Sequence, residues 1–281
     1  MINIKSPAKI NLALDILYKR NDGFHEIDTL MAKIKLCDDI LIEEHSDLKV
    51  ECGDISQEKN LVYKACMNFY KLTGIKPLFK IKINKKIPQG AGLGGGSSNA
   101  GTILNFLGRK YNIDKKVLMK AGSMTGADVN FFLIDNAFAR CTGKGEIIIP
   151  VDGTVNSKVI IFKRNSSFSD TPSVYKNLKL CLKNPTSGIS GVIFDLLSGK
   201  IDNYYNKLYN VLETSAFSLY PELKENKEKL ANKYDNVIMS GSGASFFVLT
   251  NENKKTELLS DFSAKENLYV LTEFWRQNEK N

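Results

Sequence analysis

Five glycines lie within residues 90–96, in the segment IPQGAGLGGGSSNAGTILNFLG that spans residues 87–108. Two serines follow, and then apolar residues recur at helical spacing. Amide N–H groups at the start of a helix have no partner within the helix, and the helix dipole adds partial positive charge there. Glycine lets the backbone approach phosphate oxygens closely. The segment therefore predicts a polyphosphate-binding loop, with residues 90–98 as its cradle.

Other interpretations of the glycine run fit less well. A P-loop needs Lys-Ser/Thr after its last glycine, and Ser97 and Ser98 stand there instead. A dinucleotide pattern, G-x-G-x-x-G, begins at Gly90, and Asp114 is an acid about 20 residues further on. However, Asp114 has the position of a helix N-cap, and the preceding strand is half polar. A flexible linker does not explain why an amphipathic helix begins at once.

The elements that must position this loop can be read from hydrophobic periodicity. Alternation predicts strands over 9–16, 25–45 and 78–87, with a turn at Asp22-Gly23. Helical spacing predicts helices over 59–74, 100–111 and 115–124, with Gly74 and Asp114 as caps. The second half predicts a strand over 157–162, helices over 190–197 and 203–220, and a strand-turn-strand unit over 236–250. Half-polar strands indicate sheets that are wet on one face, and so an α+β fold.

Composition limits the classes of partner. The 281 residues carry 39 Lys and Arg against 31 Asp and Glu, a net charge of +8, which suits an anionic partner. Nucleic acid, a membrane surface and an anionic small molecule all fit this charge; the lysines are scattered among acids, which is typical of solvated helix faces. Five widely spaced cysteines without a C-x-x-C pair predict no disulfide framework and no zinc site. Without a signal peptide pattern or an apolar run of about 20 residues, we expect a cytoplasmic protein.

Three segments in order resemble the motifs of the GHMP kinase family. They are SPAKINLALDI at 6–16, PQGAGLGGGSSNAG at 88–101 and SGSGASFFVL at 240–249. The resemblance implies an α+β, two-domain GHMP kinase fold with the active site in the cleft between the domains. Residues 1–152 would form the N-terminal, ATP-binding domain and residues 153–281 the C-terminal domain.

Further segments narrow the resemblance within that family. KRNDGFHEIDTLM at 19–31 and NVLETSAFSLYPEL at 210–223 are similar to members that phosphorylate the 2-hydroxyl of 4-diphosphocytidyl-2-C-methyl-D-erythritol. The implied activity belongs to the non-mevalonate route to isoprenoids. It implies ATP with Mg²⁺ and this cytidylyl ester as the partners, with no nucleic acid and no membrane. We expect a monomer or a weak homodimer.

The resemblance also implies roles for individual residues. Lys9 and Asp128 match the catalytic lysine and aspartate of the family. Asp128 would take the proton of the attacking hydroxyl, and Lys9 would stabilise the developing charge. The family has a Tyr-His pair that meets the cytosine, where this chain has Phe24-His25. Phenylalanine can still stack on a pyrimidine, but any hydrogen bond of the tyrosine hydroxyl is lost.

The remaining assignments form two sets. On the acceptor side the implied residues are Asn11, Phe24, His25, Tyr175, Gly241, Ser242 and Gly243. On the ATP side they are Asn60, Lys85, Pro88, Gln89, Gly90, Ala91, Gly92, Leu93, Gly94, Gly95, Gly96, Ser97 and Ser98. No carboxylate cluster marks a metal site, so magnesium would be held mainly by phosphates and water, with the Ser98 hydroxyl as one candidate ligand.

Three rival functions stay open at this point. Another kinase of the same family, for homoserine or mevalonate, gives no reason for Phe24-His25 after the turn. A non-catalytic sensor of the same fold would be expected to lose Lys9 or Asp128, and both are present. An RNA-binding protein would show a basic stripe with interleaved aromatic residues, and it would leave the glycine loop unexplained.

Overall fold

The computed structural model describes residues 1–178, 188–199, 207–250 and 267–276. Strands and helices are mixed in both halves of the chain. The strands are β1 Ile2–Lys19, β2 His25–Glu44, β3 Lys49–Glu51, β4 Phe79–Asn84, β5 Phe138–Gly143, β6 Ile147–Val151, β7 Lys158–Arg164, β8 Tyr209–Asn210, β9 Ile238–Met239, β10 Phe246–Thr250 and β11 Asn267–Glu273. The helices are α1 Leu61–Thr73, α2 Gly95–Tyr111, α3 Lys115–Thr125, α4 Thr171–Lys176, α5 Gly188–Leu197, α6 Leu212–Leu219 and α7 Pro221–Ala231, with 3-10 helices at Gln57–Lys59 and Ala127–Leu133.

The first sheet is built on a long antiparallel ribbon of β1 and β2, whose register runs from Ile2 opposite Ile42 to Lys19 opposite His25. The order of strands along the sheet is β3-β4-β2-β1-β8. The strand β2 has two further antiparallel neighbours, because residues 39–44 pair with β4 and residues 27–32 pair with β5. β6 extends the sheet beyond β5. The second sheet has the order β11-β7-β10-β9, with all its pairs antiparallel.

The two sheets share a core. Ile10 and Leu12 of β1 are fully buried against Val159 and Ile161 of β7 and against Phe247. Burial of such a side chain stabilises a fold by about 1.5–3 kcal/mol. Helices α1, α2 and α3 cover the first sheet near β4, and helices α4, α6 and α7 cover the second. This arrangement places the β1 strand and the glycine loop at the junction of the two halves.

Most predicted elements are confirmed. The α+β class, the strands near 9–16, 25–45, 78–87 and 157–162, and the first three helices are all present. The turn after β1 contains Gly23 with φ 85°, and the Asp22 side chain accepts a hydrogen bond from the Phe24 amide at 3.1 Å. Asp114 caps α3 by accepting from the Lys116 amide at 2.7 Å. Asp114 is thus used as a cap, and the strand before the glycine loop, β4, is antiparallel to β2 and parallel only to the short β3, unlike the mostly parallel sheet of a dinucleotide fold.

The expectation that the polar face of β1 is exposed to solvent is wrong. Residues 6–14 are buried throughout, including Lys9 and Asn11. The polar side chains are covered because the glycine loop and the 3-10 helix Ala127–Leu133 pack over that face. A buried polar face on a central strand needs internal hydrogen-bond partners, and such a face is a typical place for a site.

A second expectation is wrong within 203–220, which was predicted as one helix. Residues 203–206 lie outside the described residues, and Tyr209 and Asn210 form β8, paired in parallel with β1. The helix α6 begins only at Leu212, whose amide donates to the Asn210 side chain at 2.9 Å. Asn210 also donates to two backbone carbonyls of the second sheet, so tertiary hydrogen bonds override local helix propensity.

The predicted domain boundary at 152/153 falls between β6 and β7, and it stays a prediction. Among the residues that the structure describes, no helix is long and apolar enough to cross a membrane.

Candidate active site

The glycine loop joins β4 to α2 and lies against β1. Gly94 takes a left-handed conformation with φ 68°, and α2 begins at the next residue. The Lys9 amide donates to the Leu93 carbonyl at 2.9 Å, which fixes the loop beside β1. The first amides of the 17-residue helix therefore lie next to the Lys9 strand, at a position that suits an anion.

The turn between β9 and β10 packs onto the back of the glycine loop. The Ser240 hydroxyl donates to the Gly92 carbonyl at 3.0 Å, and the Ser245 amide donates to the Ala91 carbonyl at 3.3 Å. A Cβ atom on Gly92 would lie 2.0 Å from the Ser240 carbonyl oxygen, so only glycine allows this approach. The structure thus brings together two motifs that are about 150 residues apart in the sequence.

The same turn contains Gly241, Ser242 and Gly243, which were predicted on the acceptor side. Asn210 donates to the Gly241 carbonyl at 2.7 Å, and the Ser242 and Thr171 hydroxyls are 2.6 Å apart. A Cβ on Gly241 would lie 3.4 Å from the Lys9 ammonium. The turn is therefore a wall of the space around Lys9, and its contact with an acceptor stays a prediction.

Lys9 and Asp128 are neighbours. The Lys9 Nζ lies 3.5 Å from the Asp128 Oδ2 and 2.7 Å from the Asn11 Oδ1. The Asn11 amide nitrogen donates in turn to the Thr29 hydroxyl at 2.9 Å. Lys9 is only 4% exposed, whereas the Asp128 side chain is 28% exposed. Asn11 thus orients Lys9, while the carboxylate of Asp128 is accessible to a bound molecule.

A group of aromatic residues lies near this carboxylate. The His25 and Tyr175 ring centroids are 5.5 Å apart, with the planes tilted by 40°. Burial lowers the pKa of His25, and the charge of Lys19 adds to the effect. Burial raises the pKa of the Tyr175 hydroxyl, and the charge of Asp128 raises it further. His25 is therefore neutral at pH 7, in the form that can both donate and accept a hydrogen bond.

Phe24 precedes His25 in the chain, and 56% of its surface is exposed. The Lys144 ammonium lies 4.6 Å from its ring centroid, a cation–π contact. Lys144 belongs to the turn between β5 and β6, in which a Cβ on Gly145 would lie 3.5 Å from the Asp128 Oδ1. The turn therefore links the aromatic residues to the carboxylate, and sequence reasoning did not single out Lys144.

A buried carboxylate that the sequence analysis missed supports the loop from below. Asp38 is fully buried and accepts from the Lys86 and Ile87 amides at 2.7 and 2.8 Å, and from Asn99 at 2.9 Å. It also accepts from the Lys85 ammonium. Lys85 therefore holds the start of the loop, and its predicted place beside the adenine is untested. No local pattern marks Asp38, because its partners are at least 47 residues away.

Two predicted ATP-side residues have structural partners. The Asn60 side chain caps α1 by accepting from the Val62 amide at 2.9 Å, and Leu61 contacts the loop at Gly96. The Ser98 hydroxyl is buried and lies 2.7 Å from the Ser6 hydroxyl. Ser98 thus faces protein, which does not favour it as a magnesium ligand. Within the described ranges, no three His, Cys, Asp or Glu side chains are grouped to hold a metal.

A cavity of about 540 Å³ lies elsewhere, between the 153–158 segment and the end of β11. It is lined by Phe138, Phe274 and Trp275 among others, and none of the predicted site residues contributes to it. The residues with chemistry lie instead around Lys9 and Asp128, with the glycine loop on one side and Tyr175 on another.

Comparisons with known proteins identify the family of the chain. Two family descriptions match, "GHMP kinases N terminal domain" over residues 60–139 and "GHMP kinases C terminal" over residues 195–267. The 4-diphosphocytidyl-2-C-methyl-D-erythritol kinase of Sulfurihydrogenibium sp. is 40% identical over 90% of this chain and 92% of its own length. That of Alkaliphilus metalliredigens is 36% identical over 96% of this chain and 93% of its own.

Solved structures give the same result. A crystal structure of 4-(cytidine 5'-diphospho)-2C-methyl-D-erythritol kinase is 30% identical, with a TM-score of 0.77 over 97% of this chain and 99% of its own. The homoserine kinase of Cytophaga hutchinsonii shares the fold, with a TM-score of 0.72 over 98% of this chain and 95% of its own, at only 17% identity. The chain therefore belongs to the GHMP kinase family and, within it, to the 4-diphosphocytidyl-2-C-methyl-D-erythritol kinases.

Proposed function

We propose that the protein transfers the γ-phosphoryl group of ATP to the 2-hydroxyl of 4-diphosphocytidyl-2-C-methyl-D-erythritol, with Lys9 and Asp128 as the catalytic residues. The observation that carries the proposal is the Lys9–Asp128 pair, 3.5 Å apart, between a glycine loop and an aromatic group. One end of this site suits a polyphosphate and the other suits a nucleobase. The sequence relatives named above are kinases for this acceptor.

The ATP end uses backbone rather than side chains. The phosphates would lie on the amides at the start of α2, where the helix dipole and the unpaired N–H groups stabilise negative charge. Contacts from β1, the 240–245 turn and Asp38 each hold a different part of the loop. Asn60 and Lys85 lie at the border of the loop, where we place the adenine side.

The transfer step needs positioning and charge stabilisation more than covalent chemistry by the protein. The acceptor hydroxyl donates its proton to the Asp128 carboxylate as its oxygen bonds to the γ-phosphorus, and the bond to ADP breaks. The ammonium of Lys9, fixed by Asn11, lies where negative charge develops on the nucleophile and on the γ-phosphate. Asp128 is exposed enough to meet the acceptor, whereas Lys9 approaches from the protein side.

We expect Mg²⁺ to accompany ATP. A magnesium ion that is bound mainly by phosphates and water needs few protein ligands. Near the glycine loop the described residues offer the partly exposed Asp128 carboxylate to such an ion or its waters, whereas the buried Ser98 hydroxyl lies against Ser6. When bound, the ion supplies charge neutralisation on the phosphates.

The acceptor end would hold the cytosine at Phe24, His25 and Tyr175. Stacking on aromatic rings tolerates any base, so a hydrogen bond from the His25 ring or backbone would select cytosine. Phe24 offers one exposed face, and Lys144 covers part of its ring. We expect the protein to act in the cytoplasm as a monomer or weak homodimer on small molecules, since its lysines form no stripe suited to nucleic acid or membrane.

The experiment that tests this proposal is ADP release with Mg·ATP and four separate acceptors. They are 4-diphosphocytidyl-2-C-methyl-D-erythritol, 2-C-methyl-D-erythritol 4-phosphate, homoserine and mevalonate. We expect turnover only with the cytidylyl ester, and a product that carries the new phosphate on the 2-hydroxyl. Turnover with homoserine or mevalonate alone would contradict the proposed acceptor. We call Phe24, His25 and Tyr175 the nucleobase clamp, and turnover with the unmodified 4-phosphate would contradict its role.

His25→Ala tests the nucleobase clamp directly. We expect the KM for the cytidylyl ester to rise about tenfold, the scale of one lost hydrogen bond, because the base loses its selecting contact. The KM for ATP should stay unchanged, since His25 lies at the other end of the site. Steady-state kinetics with each substrate varied in turn gives both values.

The chain provides a matched control in His45, the other histidine, which is exposed and pairs with Asp47. His45→Ala should leave both KM values at the level of the unchanged protein. An equal KM for the cytidylyl ester in the two variants would remove His25 from the clamp.

A further inference from the structure

The end of the 3-10 helix Ala127–Leu133 is held by side chains from three different elements. Its last carbonyls, at residues 132, 133 and 134, each accept a side-chain hydrogen bond. Asn105 of α2 donates to the first at 3.0 Å, Lys115 of α3 donates to the second, and Lys33 of β2 donates to the third. We call these three side chains the carbonyl clamp. Cationic donors at a helix C-terminus also complement its dipole.

Lys33 is the unusual member of the carbonyl clamp. It lies directly opposite Lys9 in the register of β1 and β2, and whereas Lys9 lies beside Asp128 near the start of the 3-10 helix, Lys33 donates to the carbonyl just after its end. It is only 4% exposed, and its Nζ lies 5.4 Å from the Phe131 ring centroid. A long, charged side chain is seldom buried to this degree without a specific role.

The position of this clamp matters because Asp128 lies at the opposite end of the same short helix. At about 2.0 Å per residue, the clamped carbonyls are about 8–12 Å from Asp128, so a tilt of about 5° moves its backbone by about 0.7–1 Å. A 3-10 helix has weak internal hydrogen bonds, so side-chain contacts at its end add to the packing of its buried residues in fixing its direction. A displacement of 1 Å at a reacting group can cost about 100-fold in rate.

We propose that Lys33, together with Asn105 and Lys115, is a positioning residue that sets the direction of the 3-10 helix and so holds Asp128 against Lys9. The inference rests on the proposed function, because it assigns the clamp to the phosphoryl-transfer site. Lys33 does not touch the reacting atoms. It acts through the backbone of the helix, so its removal should lower kcat and leave substrate binding unchanged.

The test is Lys33→Met, which keeps the length of the side chain and removes the donor. We expect kcat to fall about tenfold, with the KM values for ATP and for the cytidylyl ester within twofold of the unchanged protein. Lys82→Met is the matched control, because Lys82 is an exposed lysine on β4 of the same sheet. This control should keep both kcat and KM.

The thermal stability of Lys33→Met distinguishes a loss of positioning from a general loss of folded structure. Burial lowers the pKa of Lys33 to about 7, against an ordinary value of 10.5. Of the groups facing it, Asp135 attracts its charge and Lys115 repels it, while the buried Cys141 thiol lies nearby. Between pH 7 and 10.5 the Lys33 amine is protonated in the unfolded chain and neutral in the folded chain. The free-energy cost of burying Lys33 therefore decreases as the pH rises. The difference in melting temperature between Lys33→Met and the unchanged protein should therefore favour the variant most at pH 7 and least near pH 10.

A second readout does not depend on the acceptor. Amide hydrogen exchange over residues 127–134 should be faster in Lys33→Met than in Lys82→Met, with α2 unchanged. A kcat and an exchange rate equal to those of the control would overturn the carbonyl clamp. If the unchanged protein phosphorylated none of the acceptors, the proposed function would fail, and the exchange rate would still decide whether the clamp holds the helix.

Discussion

Asp128→Asn is expected to lower kcat at least about 100-fold while the dissociation constant for ATP stays within about threefold. The substitution keeps the shape of the side chain and removes the group that takes the hydroxyl proton. ATP binding is expected to survive because the proposed phosphate site consists of backbone amides of α2, which Asp128 does not hold. Steady-state ADP release gives kcat, and calorimetric titration with a non-hydrolysable ATP analogue gives the affinity.

Two further variants help to interpret the fall in kcat of Asp128→Asn. Asp235→Asn removes a charge from an exposed aspartate of the second half and should leave kcat unchanged. Lys9→Met should reduce kcat as strongly as Asp128→Asn, since the two groups are 3.5 Å apart and act on the same proton and charge. The double variant should then be little worse than either single one, because residues that act as a unit are not additive. Turnover within threefold of normal in Asp128→Asn would show that Asp128 is not the base.

The local parts of this fold were predictable from the sequence because each is decided by neighbours in the chain. The cap at Asp114, the turn at Asp22-Gly23 and the helix after the glycine loop all follow from short patterns. The loop itself was recognisable because bare backbone before a helix has few uses other than anion binding.

The non-local parts were not predictable, for an equally physical reason. Asp38 has partners in the 85–99 segment, and nothing in the residues beside it reveals that it is fully buried. The polar face of β1 looked solvated, because alternation cannot distinguish water from a covering loop. Asn210 was read as helical, although its side chain is used to join β8 to the 240–245 turn. These are the contacts that assemble the site from distant segments.

Gly92→Ala is expected to damage ATP binding far more than its size suggests. The added methyl would lie 2.0 Å from the Ser240 carbonyl oxygen and 2.9 Å from that of Gly243. Both are backbone atoms, so no side-chain rotation relieves the overlap, and the glycine loop must move away from the 240–245 turn. We expect the KM for ATP to rise at least about tenfold and the melting temperature to fall. Steady-state kinetics and thermal unfolding measure the two effects.

Gly90→Ala isolates the part of this effect that comes from backbone conformation. Gly90 has φ 61°, close to the 71° of Gly92, but a Cβ on Gly90 would meet no atom within 4 Å. Both variants therefore incur the cost of a left-handed alanine, about 1–2 kcal/mol, and only Gly92→Ala adds the overlap. A larger rise in the KM for ATP in Gly92→Ala shows that contact between the two motifs shapes the phosphate cradle. Equal effects in the two variants would mean that the loop keeps its shape without the turn. The contact between the glycine loop and the 240–245 turn would then not shape the phosphate cradle.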